Sequence, residues 1–107
     1  MLVMGMMSGT SADGIDVALA RISGAPPELK ARFEGHFHTS FPPYLRQTIL
    51  RLANVKATTT AEISELNFLL GEQLAKAAIR AARHWRVALE KISLIFDIGA
   101  WPWRRFR

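Results

Sequence analysis

Gly5-Met6-Met7-Ser8-Gly9-Thr10-Ser11-Ala12-Asp13-Gly14-Ile15-Asp16 is a glycine- and hydroxyl-rich turn between two apolar runs, closed by a pair of carboxylates. The run before it, Leu2 to Met7, and the run after it, Ile15 to Ile22, both have strand length. In the second run Ile15, Val17 and Leu19 alternate with Asp16, Ala18 and Ala20, the two-residue period of a half-buried strand. The pattern predicts a β-hairpin whose loop is built to hold something.

The loop suits phosphate. Gly5, Gly9 and Gly14 let backbone amides approach an anion with no Cβ in the way, and Ser8, Thr10 and Ser11 add hydroxyl donors to such a cradle. Asp13 and Asp16 would repel bare phosphate, so a magnesium ion, held directly or through water, is expected between them and a nucleotide. Two standard nucleotide signatures are missing: no Gly-Lys pair closes a P-loop, and no Gly-x-Gly-x-x-Gly precedes a helix. Asp13-Gly14 also has a purely structural reading, because Asp-Gly is a strong hairpin-turn dipeptide.

The string Met7-Ser8-Gly9-Thr10-Ser11-Ala12-Asp13-Gly14-Ile15-Asp16-Val17-Ala18-Leu19 closely resembles the N-terminal motif of the anhydro-N-acetylmuramic acid kinases. These are bacterial sugar kinases of the actin, hexokinase and heat-shock-chaperone ATPase superfamily. Phe41-Pro42-Pro43-Tyr44-Leu45-Arg46 and Leu66-Asn67-Phe68-Leu69-Leu70-Gly71-Glu72 look like the family's first two helices, so the resemblance covers about residues 2–95. It implies an α/β fold, the N-terminal part of a ribonuclease-H-like domain, with ATP and Mg2+ as cofactors. It also implies that Gly9, Thr10, Ser11, Ala12, Asp13, Gly14, Ile15 and Asp16 form an ATP-binding segment. There the amides and the Thr10 hydroxyl would hold phosphate oxygens, and the acidic positions would order magnesium and water. The implied reaction couples hydrolytic opening of a 1,6-anhydro sugar ring to phosphoryl transfer onto O6, in peptidoglycan recycling. The implied partners are the small-molecule sugar and, for the full-length family, a second copy in a homodimer.

The rest of the chain reads as scaffold. Leu29 to Phe41 alternates in part through Ala31, Phe33, Gly35 and Phe37 and predicts a third antiparallel strand. His36 and His38 project to one face of a regular strand; a metal pair at that spacing lacks a third ligand, which favours an exposed strand face. Pro42 and Pro43 start a helix, where missing amide donors cost little. Thr59-Thr60-Ala61-Glu62 makes a capping box for a second helix, whose apolar stripe is Ile63, Leu66, Leu70, Leu74, Ala77, Ala78 and Ala81. Ile92 to Phe96 reads as a fourth, buried strand, and Met4, Met6 and Met7 as strand packing. With the sheet left incomplete, the chain is expected to expose an unpaired edge and apolar helix surface, and to be marginally stable.

Two regions are expected: an incomplete kinase domain over 1–96 and an aberrant basic-aromatic tail over 97–107. Trp101-Pro102-Trp103-Arg104-Arg105-Phe106-Arg107 neither alternates like a strand nor spaces like a helix. The family continues at this point with Gly-x-His-Gly-Gln-Thr, and skipping one base after Gly99 can turn Ala-Trp into a His-Gly reading, which suggests a shifted frame. The rival reading is a genuine tag, with arginines for phosphate and aromatics for bases or a membrane interface. The family's general base falls after the last residue here, so no catalytic residue can be named and the chain is expected to be inactive. A small nucleotide-, anion- or partner-binding module without turnover is the competing reading.

The formal net charge of +5 owes much to Arg104, Arg105 and Arg107, while Arg80, Arg83 and Arg86 fit a solvated helix end. Without the tail there is no case for a nucleic-acid protein. The absence of cysteine fits a reducing cytoplasm. Leu2 to Met7 has no basic flank, and no apolar run approaches the ~20 residues that span a bilayer, so a cytoplasmic protein without membrane contact is expected.

Overall fold

The computed structural model describes residues 1–9, 12–54 and 57–97. The runs that flank the glycine-rich turn are strands β1 (Leu2–Met7) and β2 (Gly14–Ser23), paired antiparallel from Leu2 opposite Arg21 to Met7 opposite Asp16. Side chains alternate between faces along a strand. Met4 and Met6 therefore stand beside Leu19 and Val17 on one face, and Gly5 and Met7 beside Ala18 and Asp16 on the other. Strand β3 (Lys30–Ser40) pairs antiparallel with β2, and β4 (Ile92–Asp97) runs parallel to β1, giving the order β3-β2-β1-β4. The parallel neighbour requires a crossover, and the connection runs through α1 (Pro43–Asn54), α2 (Thr60–Trp85) and a 3-10 turn at Leu89–Lys91. This is the α/β arrangement of three antiparallel strands, two helices and a fourth strand that the sequence predicts, and it is consistent with the N-terminal part of an actin-like ATPase domain.

The helices cover one sheet face. Met4, Met6, Ile15 and Val17 share a core with Leu45, Ile49 and Leu52 of α1 and Leu66, Leu70, Ala77 and Ala81 of α2. The alanines let α2 approach the sheet closely at its C-terminal half, where Trp85 packs against Gly35 and His84 lies 5.1 Å from the Phe37 ring. The N-cap half of the expected capping box is formed: Thr59 Oγ1 accepts the Glu62 amide at 3.1 Å, while the Glu62 carboxylate accepts the Thr59 hydroxyl at 3.3 Å. Arg86 ends the helix in the left-handed conformation, and the Val87 amide reaches the Ala82 carbonyl at 2.9 Å. Arg83 and Arg86 are exposed, as expected of a solvated helix end.

Two expectations need correction. The alternation through Ala31, Phe33, Gly35 and Phe37 is broken by a bulge: Gly35 faces Leu19 but Phe33 faces Ala20, so Glu34 is the extra residue. Phe37 consequently packs against the core while Phe33 emerges on the opposite face, 67 % exposed. Strand β4 is not buried either, with Leu94, Ile95 and Phe96 all exposed. It has β1 as its sole sheet neighbour among the described residues, and α2 packs over β2 and β3. The unpaired edge and the exposed Phe68 and Ile79 of α2 are the apolar surface the sequence leads one to expect. The tail residues 98–107 lie outside the described residues.

Two glycines should respond oppositely to alanine. At Gly35 a Cβ would stand 2.9 Å from Trp85 Cε2, so Gly35→Ala is expected to destabilise by about 1–3 kcal/mol through forced repacking. At Gly71, inside α2, a Cβ meets nothing within 4 Å, and Gly71→Ala is expected to stabilise by about 0.5–1 kcal/mol through helix propensity. Urea unfolding midpoints of the two variants check both signs.

Candidate functional site

The last β1–β2 pair is Met7 with Asp16, so the loop of interest begins at Ser8 and ends where Gly14 enters β2. Thr10 and Ser11 lie outside the described residues. Around them, the Ala12 amide bonds the Gly9 carbonyl at 3.1 Å, and the Asp13 carbonyl accepts the Phe41 amide at 2.8 Å, tying the loop to the segment that leads into α1. Ala12 has φ +52, a left-handed conformation that costs a non-glycine residue on the order of 1 kcal/mol or more. Its side chain is buried in the core, as is that of Ile15, so these two offer a ligand their backbone only.

Ser8 is the described loop residue whose side chain is both buried and unpartnered. It is 1 % exposed, and its Oγ has no hydrogen-bond partner among the described residues, a state it shares with Thr58 Oγ1 alone there. Leaving a buried hydroxyl unpaired costs roughly 1–3 kcal/mol. Beside it, a Cβ on Gly9 would meet no described residue within 4 Å. The other glycines expected to admit an anion are filled from elsewhere. At Gly5 a Cβ would stand 3.1 Å from Phe96 Cζ. At Gly14 it would run into the Thr39 carbonyl and the His38 ring.

Asp16 faces away from the helices. Its Oδ1 accepts hydrogen bonds from His36 Nε2 and His38 Nδ1, each at 3.0 Å, and no hydrogen bond reaches Oδ2 among the described residues. Burial pushes this carboxyl up, and the hydrogen bonds and charges of His38 and His36 more than reverse that, leaving it below its ordinary pKa. The two histidines therefore do share one exposed strand face. What sequence reasoning missed is their convergence on Asp16, which depends on the β2–β3 register placing His38 directly opposite it. Ser8 was visible only as one more hydroxyl.

Among the described residues no group of three or more His, Cys, Asp or Glu is arranged to hold a metal ion. Magnesium does not require one, since it keeps several waters and binds through one or two carboxylates plus substrate phosphates. The chemistry present in and beside the loop is a buried hydroxyl at Ser8, a glycine backbone at Gly9 and a carboxylate at Asp16 held by two histidines.

A sequence model of the anhydro-N-acetylmuramic acid kinases matches residues 1–103. Among curated relatives, the anhydro-N-acetylmuramic acid kinase of Parasynechococcus marenigrum is 38% identical over 89 residues, 83% of this chain and 24% of the relative. That of Caldanaerobacter subterraneus subsp. tengcongensis is 34% identical over 98 residues, 92% of this chain and 25% of its own. The protein of the same name from Bacillus thuringiensis subsp. konkukian is 38% identical over 100 residues, covering 92% and 26%. The chain thus spans about a quarter of the length of the relatives it matches. With the hairpin, loop and sheet order in place, it belongs to the anhydro-N-acetylmuramic acid kinase family.

Proposed function

We propose that this chain carries the nucleotide-phosphate hairpin of a cytoplasmic kinase that converts 1,6-anhydro-N-acetylmuramic acid to N-acetylmuramic acid 6-phosphate in peptidoglycan recycling. In that reaction water opens the anhydro bridge and O6 takes the γ-phosphoryl group of ATP. The observation that carries the reading is the buried, unpartnered Ser8 hydroxyl beside the Gly9 backbone.

Phosphoryl transfer rests on positioning and on stabilising charge at the phosphoryl oxygens. The Gly9 backbone and the Ser8 hydroxyl donate to phosphate oxygens, and the Thr10 hydroxyl joins them. Asp13 and Asp16 orient the waters of a magnesium ion, which when bound neutralises phosphate charge. Folding takes the Ser8 hydroxyl out of water without a partner, and a phosphate oxygen restores a hydrogen bond to it on binding.

As a 107-residue polypeptide the chain binds nucleotide without turning it over. The hairpin grips one end of ATP, and Asp13 and Asp16 are assigned to the metal ion in this reading, which leaves the activation of water to a base elsewhere in the family's domain. Holding phosphate contributes a few kcal/mol, whereas enzymatic rate enhancement takes about 8–23 kcal/mol. Residues 1–96 are read as part of a larger kinase domain whose remaining parts supply the sugar site.

Calorimetric titration of the full chain with ATP and magnesium tests this, alongside an assay for phosphorylated sugar. Saturable binding is expected, weakened on the order of 10-fold by Asp16→Ala, with no sugar phosphate formed. Absence of binding at millimolar ATP would sink the nucleotide reading, and turnover by the isolated chain would sink the claim of inactivity.

A further inference from the structure

We propose that His36 and His38 are positioning residues of the nucleotide site, which fix the Asp16 carboxylate so that its second oxygen faces the magnesium-bound phosphates. The inference rests on the nucleotide reading above and adds two residues from a different strand, outside the Gly9 to Asp16 segment.

The geometry is specific. Both imidazoles donate to the same oxygen, Oδ1, at 3.0 Å, from ring positions of opposite kind, Nε2 of His36 and Nδ1 of His38. One carboxylate oxygen is occupied twice while Oδ2 is reached by no donor among the described residues. Two bonds to one oxygen remove the free rotation that an exposed aspartate otherwise keeps, and carboxylates that hold metals or their waters are commonly braced in this way. The backbone is arranged to admit the brace. His38 lies directly across from Asp16 in the β2–β3 ladder, and its ring fills the space over Gly14 where any Cβ would stand 2.9 Å from Cε1 and Nε2. The Thr39 carbonyl excludes a Cβ at Gly14 as well, so the glycine admits both the close strand pairing and the His38 ring. Neither ring is needed to fill the core, since His36 and His38 side chains are 55% and 39% exposed.

Exposure also makes the pair testable. In His36→Phe/His38→Phe the rings remain and both donors are lost. In His36→Gln/His38→Asn the amide nitrogens of Gln and Asn replace Nε2 and Nδ1 as donors. The full chain in each form is titrated with ATP, with and without magnesium, and circular dichroism checks that each variant is folded. The expected result is that the Phe pair loses affinity on the order of 10-fold in the presence of magnesium and keeps its magnesium-free affinity, while the Gln/Asn pair restores the difference. A packing role would weaken both conditions together and would not be rescued. Equal loss in both conditions, no loss, or failure of the Gln/Asn pair to rescue overturns the inference while leaving the nucleotide reading intact. If the wild-type chain binds no ATP in either condition, the nucleotide reading falls and this inference falls with it.

Discussion

The position of every site residue follows from the alternation in β2. Ile15 and Val17 are fully buried in the core they share with α1 and α2, and Leu19, next in the alternation on the same strand face, is nearly so. Burying side chains of this size contributes about 1.5–3 kcal/mol apiece. A slip of one residue in the β1–β2 pairing would carry all three into water and Asp16 into the core. That change exceeds a large part of the ~5–15 kcal/mol by which a domain is stable. The register is therefore fixed by apolar packing, and Asp16, Ala18 and Gly5 are left on the open face as a consequence. The polar site is placed by residues that take no part in its chemistry.

What could be read from sequence was what is encoded within one segment. The two-residue period of Ile15, Val17 and Leu19, the capping box at Thr59 and Glu62, and the helical spacing of Leu66, Leu70, Ala77 and Ala81 each report local structure, and each element lies within a few residues of its expected bounds. The features that depend on which strand residue meets which were not legible. Glu34 looks like any polar strand residue until the pairing of Gly35 with Leu19 and Phe33 with Ala20 makes it a bulge. Gly5 and Gly14 look like anion-binding glycines until Phe96 and His38, far away in the chain, occupy the space they leave. The run Ile92 to Phe96 is apolar enough to suggest burial, yet burial needs neighbours on both sides, and β4 pairs with β1 alone among the described residues.

The same distinction explains the site. The loop composition points to phosphate, because glycines and hydroxyls have that chemistry wherever they stand. The unpaired state of Ser8 Oγ is not a property of composition: it exists only because the fold buries Ser8 where the chain leaves β1. A buried donor without a partner is a cost that the fold carries, and such costs collect where a ligand is bound.

Glu34 is another bridged carboxylate of the sheet, and its contrast with Asp16 bears on why histidines stand beside Asp16. Glu34 accepts Arg32 Nη2 at 2.8 Å and Arg21 Nε at 2.9 Å, and these hydrogen bonds, Arg32 first, hold its carboxyl below the usual range. Arg21 pairs with Leu2, at the end of β1 remote from the loop, whereas Asp16 pairs with Met7 at the loop end. A guanidinium always brings a positive charge, so the Glu34 bulge is pinned and its charge cancelled at once. An imidazole donates through its N–H whether or not it is protonated, so its positive charge is conditional where that of a guanidinium is permanent. His36 and His38 thus orient Asp16 without the permanent positive charge that Arg21 and Arg32 bring to Glu34.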